Sequence, residues 1–90
     1  MQVPVELKIK YLSRRLQDIE RLRATLELDD YSFAQKVGHQ VKGNAMTFDV
    51  PQIAMLGFEM EKAAQIKDKE KVKTLIQSME TIIQSAQSHF

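Results

Sequence analysis

Apolar side chains recur every three or four residues along almost all of this chain, and this spacing limits its possible folds more than any other feature. Near the N-terminus, Leu12, Leu16 and Ile19 continue a series that begins at Val5 and includes one polar member, Arg23. A spacing near 3.6 residues is typical of amphipathic helices. Only three glycines and two prolines interrupt the 90 residues. The pattern therefore predicts a chain built from helices.

Four helical segments are predicted, separated by short breaks. They cover residues 4–28, 31–47, a stretch that begins near Pro51, and a stretch from 68 to about 88. Asp30 is the expected cap of the second segment and Asp68 of the fourth, since aspartate side chains bond to free N–H groups at helix starts. Connections of a few residues favour antiparallel neighbours. We therefore expect an all-α fold, an antiparallel up-down four-helix bundle, with residues 1–90 as a single domain.

Composition argues against several classes of function. Thirteen basic and twelve acidic side chains give a net charge of +1, whereas nucleic-acid-binding domains usually carry a concentrated basic excess. No apolar run approaches the roughly 18 residues of a membrane span, and the N-terminus lacks the apolar centre of a signal peptide. The chain has no cysteine, which fits a reducing compartment. We expect no nucleic-acid partner, no membrane partner and a cytoplasmic location.

The second segment places a histidine on its polar face. When the segment is drawn as a helix at about 100° per residue, its apolar residues gather on the side opposite His39. These apolar residues are Phe33, Ala34, Val37, Val41, Ala45 and Phe48. His39 is therefore predicted to face solvent. Lys42 lies one turn further on, where its ammonium can neutralise an anion attached to the ring. Gly43 has no side chain and leaves room for an approaching group.

Other chemistry has little support in the sequence. The second histidine, His89, lies beside the C-terminus, where chains fray. Two histidines without cysteine or an HExxH pair predict no metal site. No glycine-rich phosphate loop is present, so no means of binding ATP is visible, and no serine stands out as a nucleophile. We expect no cofactor in this chain.

The residues around His39 resemble the signature of a known family. HQVKG at 39–43 is followed by NAMTFDVPQIAMLGFEME at 44–61. This run is similar to that of histidine-containing phosphotransfer (HPt) domains, four-helix bundles that relay phosphoryl groups in two-component signalling. Phe48, Pro51 and Gly57 stand at the offsets that the family has. The similarity covers nearly all of the chain.

The resemblance implies roles for individual residues. It implies that His39 is the phosphoacceptor, phosphorylated on Nε2, and that Lys42 helps to balance the charge of the phosphoryl group. Gly43 would keep the approach open, and Gly57 would let the second and third helices come close. Glu61 stands where the family has a Glu or Gln that hydrogen-bonds the histidine Nδ1, which would leave the Nε2 lone pair free as the nucleophile.

Two positions depart from the family pattern. Met46 stands where the family usually has a small residue, and it either narrows access to His39 or belongs to a docking surface with Gln35. Asp49 stands where the family often has glycine, and we expect it, or Val50, to cap the third helix. These departures concern partner choice and transfer rate more than the basic chemistry.

The mechanism implied by the resemblance is a relay without turnover. His39 would receive a phosphoryl group from a sensor histidine kinase or a receiver aspartate and pass it to another receiver domain. Magnesium would belong to the receiver, because this chain has no visible carboxylate cluster to hold it. We expect a monomer that is a phosphoryl carrier and not an enzyme.

Two alternatives remain open on the sequence alone. The first is a degenerate member of the family that keeps the bundle and acts as a non-phosphorylated docking module, which Met46 would favour. The second is a helical interaction domain of another class, in which the match around His39 is accidental. Phosphorylation of His39 would distinguish the phosphoryl carrier from both.

Overall fold

The computed structural model describes residues 3–89, and its regular structure is helical. The elements are α1 (Val5–Glu27), α2 (Ser32–Asn44), a 3₁₀ turn (Pro51–Ile53), α3 (Ala54–Gln65) and α4 (Lys69–Gln87). The predicted all-α fold with four helices is confirmed. The predicted bounds of the first and fourth helices agree to within one residue, whereas α2 ends three residues before the predicted end. None of the helices in residues 3–89 is both long and apolar enough to cross a membrane.

The contacts between α1 and α2 join opposite ends of the two helices. The hydroxyl of Tyr11, early in α1, donates to Asn44 Oδ1 at the end of α2. Towards the other end of α1, the Arg21 guanidinium lies 4.2 Å from the ring centre of Phe33, at the start of α2. This order fits an antiparallel pair. Asp68 caps α4 as predicted and accepts from the N–H of Lys71, whereas the N-cap residue of α2 is Tyr31, and Asp30, one residue earlier, accepts from the N–H of Ser32.

One hydrophobic core joins all four helices. Its largest fully buried side chains are Leu12, Ile19, Leu22, Val37, Val41, Val50, Ile53, Met60, Val72, Ile76, Met79 and Ile83. They recur at helical spacing, so each helix presents one apolar stripe to the centre. Because α2 contributes Val37 and Val41 to this core, its opposite side is left facing solvent.

The inward face of α1 differs from the predicted stripe at both ends. Val5 and Ile9 are largely exposed, because the first turns of α1 lie at the edge of the packed core. Near the other end, Leu22 is buried, whereas Arg23 reaches α4 and pairs with Glu80 at 2.9 Å. The buried polar residue of α1 is Arg15, which the apolar spacing did not single out.

The third helical segment begins with the 3₁₀ turn at Pro51–Ile53, whose N-cap residue is Val50 as predicted, whereas Asp49 caps neither that turn nor α3. The residue before α3 is Ile53, and no side chain caps that helix; Val50 is buried. Asp49 instead adopts a left-handed backbone conformation with φ of 62°. Its N–H donates to the carbonyl of Met46, which closes the turn after α2. Asp49 thus takes the conformation that glycine adopts most readily, because aspartate tolerates it better than most side chains.

Asp49→Gly should raise the melting temperature by about 2–5 °C. Glycine removes the conformational cost of a left-handed L-residue, and the exposed ion pair with Lys8, at 3.4 Å, contributes little in compensation. Thermal unfolding followed by circular dichroism measures the change. Asp49→Ala is the matched control, since it loses the same ion pair but keeps a Cβ, and it should melt below the wild type. A glycine variant that melts no higher than the alanine variant would contradict this account of the turn.

Candidate functional site

Two glycines bring α2 and α3 into backbone contact. A Cβ atom built on Gly38 would lie 2.6 Å from the backbone nitrogen of Glu61, and one on Gly57 would lie 2.7 Å from that of Lys42. Real Cβ atoms do not approach backbone this closely, so neither position accepts a side chain at the present helix separation. The close approach expected from Gly57 is present, and Gly38, which the sequence analysis did not identify, is its partner. The crossing sets His39 and Lys42 directly against α3.

Glu61 connects the histidine and the lysine of α2. Its Oε2 lies 2.8 Å from His39 Nδ1, and its Oε1 accepts a 2.8 Å hydrogen bond from Lys42 Nζ. The Glu61 side chain is only 15% exposed, whereas that of His39 is 68% exposed. Three predicted site residues thus form one connected group, with the imidazole ring at its solvent side.

Electrostatics favours the carboxylate form of Glu61. The hydrogen bond from Lys42, and then that from His39, holds the pKa of Glu61 below its usual value. An ionised carboxylate only accepts hydrogen bonds, so the Nδ1 atom at 2.8 Å must carry the proton. In the neutral ring this leaves the lone pair on Nε2. The arrangement therefore presents an unprotonated nitrogen on the exposed side chain, as a nucleophile requires.

The surface around His39 is open. A shallow cleft of about 390 Å³ is lined by His39, Gln35, Lys36 and Glu61, among others. Gly43 lies at the surface near the end of α2, and a Cβ atom built there would meet no other atom within 4 Å. Met46 lies in the turn that follows α2 and is 67% exposed. Gln35 is thus brought to the histidine, whereas Met46 is not part of the cleft lining.

An aromatic contact that the sequence pattern did not indicate lies beside the lysine. The Phe58 ring, 41% exposed, has its centre 5.9 Å from Lys42 Nζ and 5.1 Å from Lys62 Nζ. Cations close to an aromatic face are attracted to it. The sequence could have indicated this contact, because Phe58 stands three residues before Glu61. At that spacing the two side chains are neighbours on the surface of α3.

Within residues 3–89, no three histidine or acidic side chains converge as a metal-binding group would.

Comparison with known proteins agrees with this geometry. The family model described as Hpt domain matches residues 6–89, nearly the whole chain. Searches of curated proteins and of solved structures found no match. The matched range includes α2, α3, α4 and all of α1 except its first residue, together with the group formed by His39, Lys42 and Glu61. The chain therefore belongs to the Hpt domain family, whose members carry phosphoryl groups in two-component signalling.

Proposed function

We propose that His39 is the phosphoacceptor of this chain and that it exchanges a phosphoryl group with an aspartate of a receiver domain. The observation that carries the proposal is the 2.8 Å contact between His39 Nδ1 and Glu61 on a side chain that is 68% exposed. It combines a fixed tautomer with free access to Nε2. A histidine that served only packing would need neither.

The transfer step requires no proton to leave the histidine. The Nε2 lone pair forms a bond to phosphorus while the bond from phosphorus to the aspartyl oxygen breaks, and the electron pair of that bond returns to the aspartate carboxylate. The ring, with its proton on Nδ1, becomes positively charged, and the Glu61 carboxylate at 2.8 Å stabilises that charge. The reverse step delivers the phosphoryl group to a second receiver.

Lys42 supplies positive charge to the same step. Its ammonium bonds Glu61 at 2.8 Å and lies on the same face of α2 as His39, one turn away. We propose that it orients Glu61 and balances the negative charge of the phosphoryl group on Nε2. Because phosphoryl transfer depends on positioning and charge neutralisation, a single cation here affects the rate more than the stability of the fold.

Lys42→Ala should slow phosphoryl transfer by about tenfold to a hundredfold, the value of one charge-assisted hydrogen bond. It should also raise the pKa of Glu61, because Lys42 is the main cause that lowers it. Rapid-quench transfer kinetics and an NMR titration of the Glu61 carboxyl carbon measure the two effects. Lys73→Ala, an exposed lysine on α4, is the control and should leave both unchanged. Unaltered transfer in the Lys42 variant would remove this residue from the mechanism.

The partners proposed are receiver domains and a sensor histidine kinase, and the magnesium ion that the chemistry uses belongs to the receiver. The acidic residues that the structure describes form no converging group of three, which supports this assignment. We propose that the chain is a carrier that acts as a monomer and has no kinase activity of its own.

The test is phosphoryl transfer from a panel of phosphorylated receiver domains of the source organism. We expect label on the chain that is labile to acid and stable to base, as a phosphoramidate is, together with a clear preference for one donor. The folded chain taking up no label from any donor would contradict the proposal. That result would favour the docking module, for which the exposed Met46 is the supporting observation.

A further inference from the structure

A second pocket lies away from the histidine, between the first turns of α1 and the turn that follows α2. It has a volume of about 290 Å³, and its polar and aromatic lining consists of Lys10, Tyr11, Arg14, Arg15, Asn44 and Phe48. None of these residues lines the cleft around His39. The pocket is therefore separate from the cleft around His39.

The pocket lining carries a concentrated positive charge. It contains three cations, Lys10, Arg14 and Arg15, and no carboxylate. The acidic group paired with them is Asp18, whose Oδ2 lies 3.0 Å from Arg15 Nη2. Three cations and one carboxylate leave a charge of about +2, although the whole chain carries only +1. Among the residues described, Lys10 and Arg14 have no ion-pair partner.

Arg15 is buried, and two of its hydrogen-bond donor atoms lack partners. Only 6% of the residue is exposed, and its Nε and Nη1 atoms have no hydrogen-bond partner among the described residues. Buried donors without a partner are rare and cost roughly 1–3 kcal/mol each. A guanidinium presents its donors in a fork that matches the oxygens of a phosphate or carboxylate.

The other lining residues of the pocket supply a further hydrogen-bond donor and an aromatic surface. The Tyr11 and Phe48 rings are stacked with their centres 4.5 Å apart. Burial raises the pKa of Tyr11, so its hydroxyl keeps its proton and donates to Asn44 Oδ1. Because that oxygen is occupied, Asn44 offers its NH₂ group as a donor. The lining thus combines cations and an amide donor with a flat apolar side.

We propose that this pocket binds a phosphate oxyanion, as inorganic phosphate or as a phosphate monoester. A phosphate group carries about −1.5 to −2 charges at neutral pH, which matches the excess charge of the lining. Its oxygens would accept bonds from Arg14 and Asn44, and Arg15, whose unpartnered Nε and Nη1 atoms are enclosed by the protein, would contribute its positive charge. The aromatic pair would contact the organic group of a monoester. Occupancy would also stabilise the bundle, because the ligand binds the folded chain.

The test is a titration of the full chain with inorganic phosphate and, separately, with phenyl phosphate. The side-chain amide signal of Asn44 in ¹⁵N NMR spectra should shift and saturate, and sodium chloride at equal ionic strength should produce no such shift. Performing the titration on His39→Gln removes any contribution from the phosphoacceptor. Tighter binding of phenyl phosphate would identify a monoester as the ligand class, and equal binding would identify the free anion.

Arg14→Gln should weaken phosphate binding at least about tenfold, since it removes one charge-assisted contact. Arg14 is exposed, so the variant should fold normally, which circular dichroism verifies. Lys73→Gln removes the same charge from α4, away from the pocket, and should bind phosphate as tightly as the wild type. Unsaturable shifts, an equal response to chloride, or equal weakening in the two variants would overturn the proposal, because each result indicates general ionic attraction.

Discussion

His39→Gln should abolish phosphoryl acceptance, by at least roughly a thousandfold, while the bundle stays folded. Glutamine has no nucleophilic nitrogen, so this variant lacks the proposed acceptor atom. The fold should persist because 68% of the His39 side chain is exposed and the core side of α2 is formed by Val37 and Val41. Transfer of radiolabelled phosphoryl from the preferred receiver domain measures the first effect, and circular dichroism measures the second.

His89→Gln is the matched control, because it removes the other histidine of the chain. His89 is an exposed residue that follows α4, so this variant should accept phosphoryl at the wild-type rate. Label that persists in His39→Gln and disappears in His89→Gln would show that His89, and not His39, is the acceptor. Loss of helical signal in His39→Gln would instead show that the ring supports the fold, against its exposed placement.

The helices and the orientation of His39 could be predicted because both follow from local periodicity. A spacing of 3.6 residues places Val37 and Val41 on one side of α2 and His39 on the other, whatever the helix packs against. Side-chain hydrogen bonds at helix starts are equally local, since Asp30 and Asp68 accept from N–H groups two and three positions further along. Such features need no knowledge of tertiary contacts.

Features that depend on two helices meeting could not be predicted from periodicity. The contact of Lys42 with Glu61 joins residues 19 positions apart, and only the resemblance to a family suggested that Glu61 belongs at the site. Periodicity indicates no role for Gly38, because its role is to let the backbone of α3 come close to α2. The exposed Val5 has the spacing of a core residue, but α1 extends past its packing partners there.

Backbone strain could not be predicted from the sequence either. Asp49 precedes a proline by two positions and looked like a helix cap, since aspartate is common at both caps and turns. The choice between these roles depends on where α2 ends, and α2 ends at Asn44 instead of near residue 47. The earlier end leaves a turn that requires a left-handed residue at Asp49.

A substitution that disrupts the close crossing of α2 and α3 is expected to have the largest effect on stability. Gly57→Ala should lower the free energy of unfolding by about 2–3 kcal/mol and the melting temperature by about 8–20 °C. The new Cβ would lie 2.7 Å from Lys42 N and 2.8 Å from Gly38 O, and both are backbone atoms that no rotamer change can move. The helices must separate, which opens the core on both sides. Chemical denaturation followed by circular dichroism measures the loss.

Gly43→Ala is the matched control, since it adds the same methyl group to a helical glycine nearby. Its Cβ would meet no atom within 4 Å, so alanine should stabilise α2 by up to about 1 kcal/mol. The two variants should therefore change stability in opposite directions. Gly57→Ala should also slow transfer at temperatures where it is folded, because separating the helices pulls Glu61 away from His39 and frees the tautomer. Equal stability of the two variants would mean that the bundle adjusts without cost and that the crossing does not position the site.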